Sequence, residues 1–471
     1  MTLRDKMFSE LLKHDLFEQA KDYALEYAEN SIDRNVYPTD NAIENLKVFD
    51  ESLPDKIGES KTIIEKLHKY GSPATVSQIG GRYFGLVNGG IIPTALAVKW
   101  INDFWDQNTP LYVTSPITSK LETIVENWLK EIFNLTTDTV AGFVSGTSMA
   151  ILCGLAAARY RIYRRLDWDV NSKGLINAPK IRIVAGKHAH GTVLKAVTLL
   201  GFGKDIIEWV DVDNQGRIIP DLIPELDERT ILILQAGNVN SGAFDSFQDI
   251  CDKAKQSNAW IHIDGAFGLW AAGSEKLSYL TKGIEKADSW SVDGHKTLNT
   301  PYDSGIVLCK DKDALVSALQ ASGSYIVYGE NRDGMLYTPE MSRRARAVEL
   351  WATIKYLGKE GIDELVYGLH DRAKQFADGL SKYGFKILNE VVFNQVIVAC
   401  DNDLETESTL KNIQELRDCW CGGSQWFDKK VIRISVCSWA TTEKDIDISI
   451  NSFVKAREMT KNKINGLQSS R

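Results

Sequence analysis

The chain has 471 residues, 44% of them hydrophobic and 25% charged, with 35 Gly and 11 Pro. That balance suits a soluble globular protein of two or three domains and excludes collagen-like, coiled-coil and disordered classes. Acidic residues outnumber basic ones, 63 to 55, for a formal charge of −8, which argues against a general nucleic-acid-binding surface. The first 70 or so residues read as amphipathic helix, with Leu11, Leu12, Leu16, Ala20, Tyr23, Ala24 and Tyr27 three or four apart. Such an arm must cover another surface. Charges recur every few residues at the N-terminus, and no stretch approaches the roughly 20 apolar residues of a membrane span. A cytoplasmic protein with no membrane segment is expected. A Gly-rich passage, GGRYFGLVNGGIIP, precedes SPITSKLETIVENWLKEIFNL, a helix with Leu121, Ile124, Val125, Trp128, Leu129, Ile132 and Phe133 on one face. Ser119 and Glu122 have the spacing of a capping box at its start.

From about 140 to 310, short apolar runs alternate with helical stretches: VAGFV, IRIVAG, ILILQAG, WIHID and GIVLC. Runs that are apolar at every position suit strands buried on both faces, hence an α/β fold with a mostly parallel sheet between helices. Beyond about 345 a long helical stretch leads into FKILNE, NQVIVACD and VIRISVCS, the pattern of a smaller α+β domain. The expected organisation is an N-terminal helical arm over 1–105, a large domain over 106–345 and a small C-terminal domain over 346–471. Seven scattered cysteines fit reduced thiols, and the close pair Cys419 and Cys421 lacks the two-residue spacer of a redox or zinc motif, so packing is its expected role and no metal site is expected.

Ligands of open α/β sheets bind beyond the carboxyl ends of the strands. After VAGFV, the residues Ser145, Gly146, Thr147 and Ser148 stand before a strong helix, where free N–H groups and hydroxyls suit a phosphate, although Ser and Thr also cap ordinary helices. After IRIVAG come His188 and His190. Asp264 ends WIHID, where a buried carboxylate demands a cation or donors. Lys296, beside His295, follows a further short run, and a lysine acting as a catalytic amine needs desolvation or a neighbouring charge. A phosphate cradle, a histidine, a carboxylate and a lysine in this order match pyridoxal 5'-phosphate (PLP), which takes a lysine as its Schiff-base partner and an acid at its ring nitrogen.

These motifs resemble the group II PLP-dependent amino acid decarboxylases, the aromatic amino acid and glutamate decarboxylase family on the fold-type I scaffold. The resemblance covers about residues 80–450 and rests on YFG, the pattern from Ser115 to Leu129, SGTSMAILCGLAAAR, HAHGTVLKA, GAFD, HIDGAFG and GHK. It implies that Lys296 is the Schiff-base lysine, Asp264 the partner of the pyridinium nitrogen and His190 the histidine stacked on the ring. Thr147, Ser148 and His295 would contact the phosphate beside Ser145 and Gly146. A homodimer with its active sites at the interface and the N-terminal arm wrapped on the partner is implied as well.

Two positions depart from the family pattern. Gly237, Asn238 and Val239 stand where many relatives have Gly-Thr-Thr, so the hydroxyl near the cofactor's phenolic oxygen is missing and Asn238 is the available replacement donor. Relatives also place a proton-donating tyrosine ahead of the SRRAR segment, at a position that falls near Asp333 here. Tyr325, Tyr328 and Tyr337 are the candidates, and Tyr328 is the choice. Tyr83, Phe84 and Trp105 suggest walls for an aromatic or apolar amino acid. An acidic substrate held by Arg433 or Arg82 stays open, as does a structural ion pair for Arg433. Decarboxylation is the expected reaction. An aminotransferase, an aldehyde synthase and a catalytically degenerate interaction protein are the rivals, while a dinucleotide enzyme is disfavoured because no GxGxxG follows the first strand.

Overall fold

The Val, Ile and Leu runs lie at the centre of the computed structural model, which describes residues 2–320 and 329–469. Strands β1 (Val140–Val144), β2 (Arg182–Gly186), β3 (Ile207–Val210), β4 (Thr230–Gln235), β5 (Trp260–Asp264), β6 (Ser289–Asp293) and β7 (Gly305–Cys309) form one sheet in the order β1-β7-β6-β5-β4-β2-β3. It is parallel throughout except for β7, which runs antiparallel to β1 and β6. β4 shows why its run is apolar without alternation. Ile231 and Ile233 enter the core on one face of the sheet, and Leu232 and Leu234 enter the core on the other. Helices α1 (Leu3–Lys13), α2 (Asp15–Ser31), α3 (Asp40–Glu44), α4 (Ser60–Lys66), α5 (Pro93–Trp105) and α6 (Pro116–Ile132) precede the sheet. Between its strands come α7 (Thr147–Arg165), α8 (Val170–Lys173), α9 (Gly191–Leu199) and α10 (Phe247–Gln256), and α11 (Lys312–Leu319) follows.

The C-terminal part carries a four-stranded antiparallel sheet, β10-β11-β9-β8, built from β8 (Lys386–Ile387), β9 (Gln395–Ala399), β10 (Gly422–Trp426) and β11 (Lys429–Ser435). Helices α12 (Arg346–Lys382), α13 (Asp403–Leu416) and α14 (Glu443–Ser469) surround it. The first part of α12 contributes Ala347, Leu350, Ile354 and Val366 to the large core, while Leu369, Phe376 and Leu380 belong to the small one. The helix is broken at Gly358, whose φ is 59°, and the segment beyond the break serves both cores, so the packing changes between Val366 and Leu369 and not at the 345/346 boundary drawn from the sequence. Cys419 and Cys421 sit in the small core as free thiols. No helix of the described residues is long and apolar enough to cross a membrane.

The expected capping box on α6 is a misreading. Pro116 starts the helix at its first position, because its ring fixes φ and its missing N–H is no loss there, so Ser119 and Glu122 fall inside the helix. Ser119 Oγ donates to the Arg332 carbonyl at 2.5 Å, and Glu122 binds Arg332 Nε at 2.9 Å and Arg343 Nη2 at 2.6 Å. Burial works against the ionised Glu122 carboxyl, but the Arg343 and Arg332 guanidiniums outweigh it and hold the group below its ordinary value.

Candidate active site

Five strand ends, those of β1, β2, β4, β5 and β6, converge on a cavity of about 250 Å³ walled by Thr147, His190, Gln235, Asp264, His295 and Lys296, among others. A groove of about 780 Å³ along α12 is larger but carries neither lysine nor histidine, so chemistry and not size selects the site. Gly146 opens α7, whose first-turn N–H groups and dipole make an anion site. β7 passes so close that a Cβ on Gly305 would overlap the Gly146 backbone, which is why glycine occupies that strand position. The Thr147 hydroxyl is buried without a partner among the described residues.

Asp293, at the end of β6, organises the lysine side of the cavity. Its Oδ1 accepts the Thr147 N–H at 2.7 Å, and its Oδ2 lies 3.0 Å from Lys296 Nζ and 3.6 Å from His295 Nε2. His295 Nδ1 accepts the Ser304 N–H at 3.1 Å, and the ring stacks on Tyr302 with centroids 4.3 Å apart. Burial pulls the His295 pKa below its ordinary value despite the nearby Asp293 charge. The Lys296 loop is fixed from behind by Asn299. Its amide nitrogen reaches the carbonyls of Lys296, Thr297 and Cys437 at 3.1, 2.8 and 2.9 Å, and its oxygen accepts the N–H groups of Gly90 and Trp439 at 2.6 and 2.9 Å.

His190 caps α9. Its Nδ1 accepts the Thr192 N–H at 3.3 Å and lies 2.8 Å from Thr192 Oγ1. A ring nitrogen that accepts a backbone N–H carries no proton, so in the neutral ring the proton sits on Nε2. Burial is the main cause that lowers its pKa; Lys296 and Arg433 add to the effect and Asp264 opposes it. Asp264 is 5% exposed and its carboxyl is pushed up by burial, with His190 and Lys296 offsetting part of the shift. It accepts one hydrogen bond, from Ala266 N–H at 3.3 Å, and no cation of the described residues lies within ion-pair distance. A buried acid so poorly partnered leaves room for an external cation.

The chain matches the family model for the pyridoxal-dependent decarboxylase conserved domain over residues 44–399, about three quarters of its length. This chain belongs to the pyridoxal-dependent decarboxylase family. Within it, the mouse acidic amino acid decarboxylase GADL1 is 27% identical over 354 residues, covering 72% of this chain and 64% of that protein. The Bacillus atrophaeus aromatic-L-amino-acid decarboxylase is 32% identical over 252 residues, covering 51% and 50%. The matches thus span about half to two thirds of these relatives' own length. In fold, the Oryza sativa TDC structure with PLP and tryptamine superposes with a TM-score of 0.87 at 20% identity, covering 96% of this chain and 98% of that one.

The residues present fit the PLP of this decarboxylase family. Asp264 lacks a cation, α7 offers an anion site with an unpartnered hydroxyl, and Lys296 opens into the same cavity. Gly146, Ser148 and His295 line the cavity beside the start of α7, where a phosphate would be held, while the Thr147 N–H is already engaged by Asp293. Ser145 follows β1 without forming part of the cavity wall.

Several sequence expectations are corrected by the packing. Phe84 is 1% exposed and packs against Phe376 in the small core, where neighbours of matching shape claim it, so it cannot touch substrate. Trp105 is exposed at the end of α5, away from the cavity wall. Arg82 is bound to Asp445 at 3.6 Å and to the carbonyls of Asp33 and Arg34, both at 3.0 Å. Asn238 is not the replacement donor its position suggests. Its Oδ1 accepts the N–H groups of Asn240 and Ser241 at 2.9 and 3.3 Å, an Asx turn, and its Nδ2 points toward Gly216 and His188 rather than the cavity. Tyr325 and Tyr328 lie outside the described residues. Tyr337 is buried under Arg332 at 4.2 Å, and Asp333 accepts the Tyr112 and Gly329 N–H groups.

Tyr83 is buried and stacks on Trp420 with centroids 5.4 Å apart. Arg433 makes no ion pair with any described carboxylate. Its Nη1 donates to the carbonyl of Val239, a cavity residue, at 2.8 Å. Asp293, Thr192 and Gln235 join the site without having been singled out in the sequence. Asp293 carried the signal that exposed Asp264, an acid where an apolar strand gives out.

Proposed function

We propose that this chain removes the α-carboxylate of an L-amino acid as carbon dioxide and leaves the amine, with PLP as cofactor. The convergence of Lys296, Asp264 and His190 on one cavity beside the α7 N-terminus carries this reading. PLP, when bound, supplies a ring that accepts the electrons left by the departing carboxylate. Lys296 anchors the cofactor and is the amine the substrate displaces. Asp264, ionised once a cation faces it, holds a proton at the ring nitrogen. His190, with its proton on Nε2, would stack on the ring and orient the substrate. Val87 and Val239 keep water from the reacting carbon.

The substrate is an aromatic or other apolar amino acid, supported by Val87 and Val239 in the cavity wall. A second reading, an acidic amino acid, is favoured by Arg433 itself, a half-buried guanidinium with no carboxylate partner among the described residues. The working unit is a homodimer, supported by the exposed Trp100, Ile101, Phe104 and Trp105 on α5 and Leu11 and Leu12 on α1. Seven buried free thiols suit a reducing compartment such as the cytoplasm.

The test is an amino-acid panel incubated with purified protein, with and without a keto acid, measuring carbon dioxide, amine, ammonia and new amino acid. Carbon dioxide and amine in equal amounts support the proposal. Keto-acid-dependent amino acid without carbon dioxide would make it an aminotransferase, and ammonia with aldehyde an aldehyde synthase. Lys296→Ala should lose the visible band of the lysine-bound cofactor; a variant that keeps the band overturns the assignment.

A further inference from the structure

Gln235 ends β4, is 5% exposed and lines the cavity beside Asp264, yet its side-chain amide forms no hydrogen bond with any described residue. Its backbone is fully engaged. The N–H donates to Asp245 Oδ2 at 2.7 Å, and the carbonyl accepts the Asp245 N–H at 3.1 Å, so the strand end is clamped. The amide opens into the cavity, so a ligand seated there, and not a neighbouring side chain, is the partner available to it.

The sheet says which part of the ligand that is. Gln235 and Asp264 are register partners on parallel neighbours, so their side chains leave the same face of the sheet. The phosphate site follows β1, which lies on the β6 side of β5, and Gln235 lies on the opposite, β4 side. In PLP the phosphate arm and the phenolic oxygen flank the aldehyde-bearing carbon on opposite sides, with the ring nitrogen across from it. With the nitrogen at Asp264 and the phosphate at the start of α7, the phenolic edge faces β4. A glutamine is one methylene longer than an aspartate, so its amide reaches past the Asp264 carboxylate toward the middle of that edge.

We propose that Gln235 donates a hydrogen bond to the phenolic oxygen of the cofactor, the role that Asn238 does not fill because its side chain lies outside the cavity wall. This rests on the PLP reading of the site. The bond stabilises the ionised oxygen, which then holds the adjacent protonated Lys296 nitrogen less firmly. Removing the donor therefore raises the pH at which that nitrogen loses its proton.

The experiment compares wild type with Gln235→Met, a substitution of similar volume, in two readouts that need no turnover. One is the pH titration of the visible band of the holoenzyme, whose midpoint should rise by about one pH unit in the variant. The other is the dissociation constant, from quenching of tryptophan fluorescence, for PLP and for its analogue with hydrogen in place of the phenolic hydroxyl. The variant should bind PLP roughly tenfold more weakly and the analogue as tightly as wild type does. Equal midpoints, or an equal loss of affinity for PLP and analogue, would overturn the proposal, the latter by exposing a packing defect. A wild-type protein that never develops the band would overturn the PLP reading instead, so the two failures are distinguishable.

Discussion

The carboxylate of Asp293 joins two parts of the site: one oxygen lies 3.0 Å from Lys296 Nζ, and the other accepts the Thr147 N–H at 2.7 Å. Lys296 and the start of α7, the proposed anchor and phosphate cradle, are thereby tied together by one buried side chain at the end of β6. Asp293→Ala removes both links and should weaken PLP binding about tenfold or more, as charge-assisted hydrogen bonds are lost. Asp293→Asn keeps an acceptor for Thr147 and should lose less. Equilibrium dialysis of the two variants is the check, and equal losses would show that the link to Thr147 is irrelevant.

Asn299 is a second fastening, with five hydrogen bonds that tie residues 90, 296, 297, 437 and 439 together. Its φ of 58° lies in the left-handed region that asparagine tolerates better than most residues. Asn299→Ala should reduce stability by roughly 3 kcal/mol, from lost bonds and stranded backbone groups. Urea unfolding is the measurement, and a loss below about 1 kcal/mol would contradict the hub role.

His262 predicts a pH dependence of stability. The ring lies within β5 against Ser289 Oγ at 2.8 Å, and burial lowers its pKa to about 3. In the unfolded chain it titrates near 6.5. Between those values the unfolded state binds the extra proton, so this contribution is complete above about pH 6.5 and is lost progressively as pH falls toward 3. Going from pH 7 to 5 should cost about 2 kcal/mol from this group alone. His262→Asn is less stable at neutral pH but should lose about that much less over the same interval. Denaturation curves at pH 7, 6 and 5 that fall in parallel for both proteins would refute the assignment.

Arg433 should act in binding. Arg433→Gln is expected to raise KM at least tenfold for the preferred substrate while changing kcat by less, since a guanidinium bound to carboxylate before the chemistry contributes to ground-state affinity. Steady-state kinetics decide it, and a fall in kcat at constant KM would place Arg433 among the groups that act on the reacting atoms.

Much of the site was legible along the chain because a parallel sheet puts its chemistry at strand ends, and strand ends are visible where apolar runs stop. Asp264, Lys296, His190 and the Gly146–Ser148 turn were found that way. Asp293 had the same signature but stood next to the more conspicuous lysine. β3 and β10 were missed because each mixes polar with apolar residues, and β10 is an edge strand with Gly422 and Gly423.

The contacts of side chains within one residue or two of each other were not legible. Tyr83 and Phe84 are neighbours in sequence, yet one stacks on Trp420 near Arg433 and the other is sealed against Phe376. Asn238 and Gln235 both end the same run, and only local turn geometry sends the first into an Asx turn and leaves the second facing the cavity. Glu122 has the spacing of a cap but answers to Arg332 and Arg343, more than 200 residues away.

Sequence alone determined the α/β class and its mostly parallel sheet, and it singled out Lys296, Asp264 and His190, which share one cavity, because hydrophobic periodicity and strand-end chemistry are local properties of the chain. The tertiary structure decided which polar groups reach the cavity and which are taken by other partners. That outcome depends on long-range competition for hydrogen bonds and buried space, and no local pattern records it.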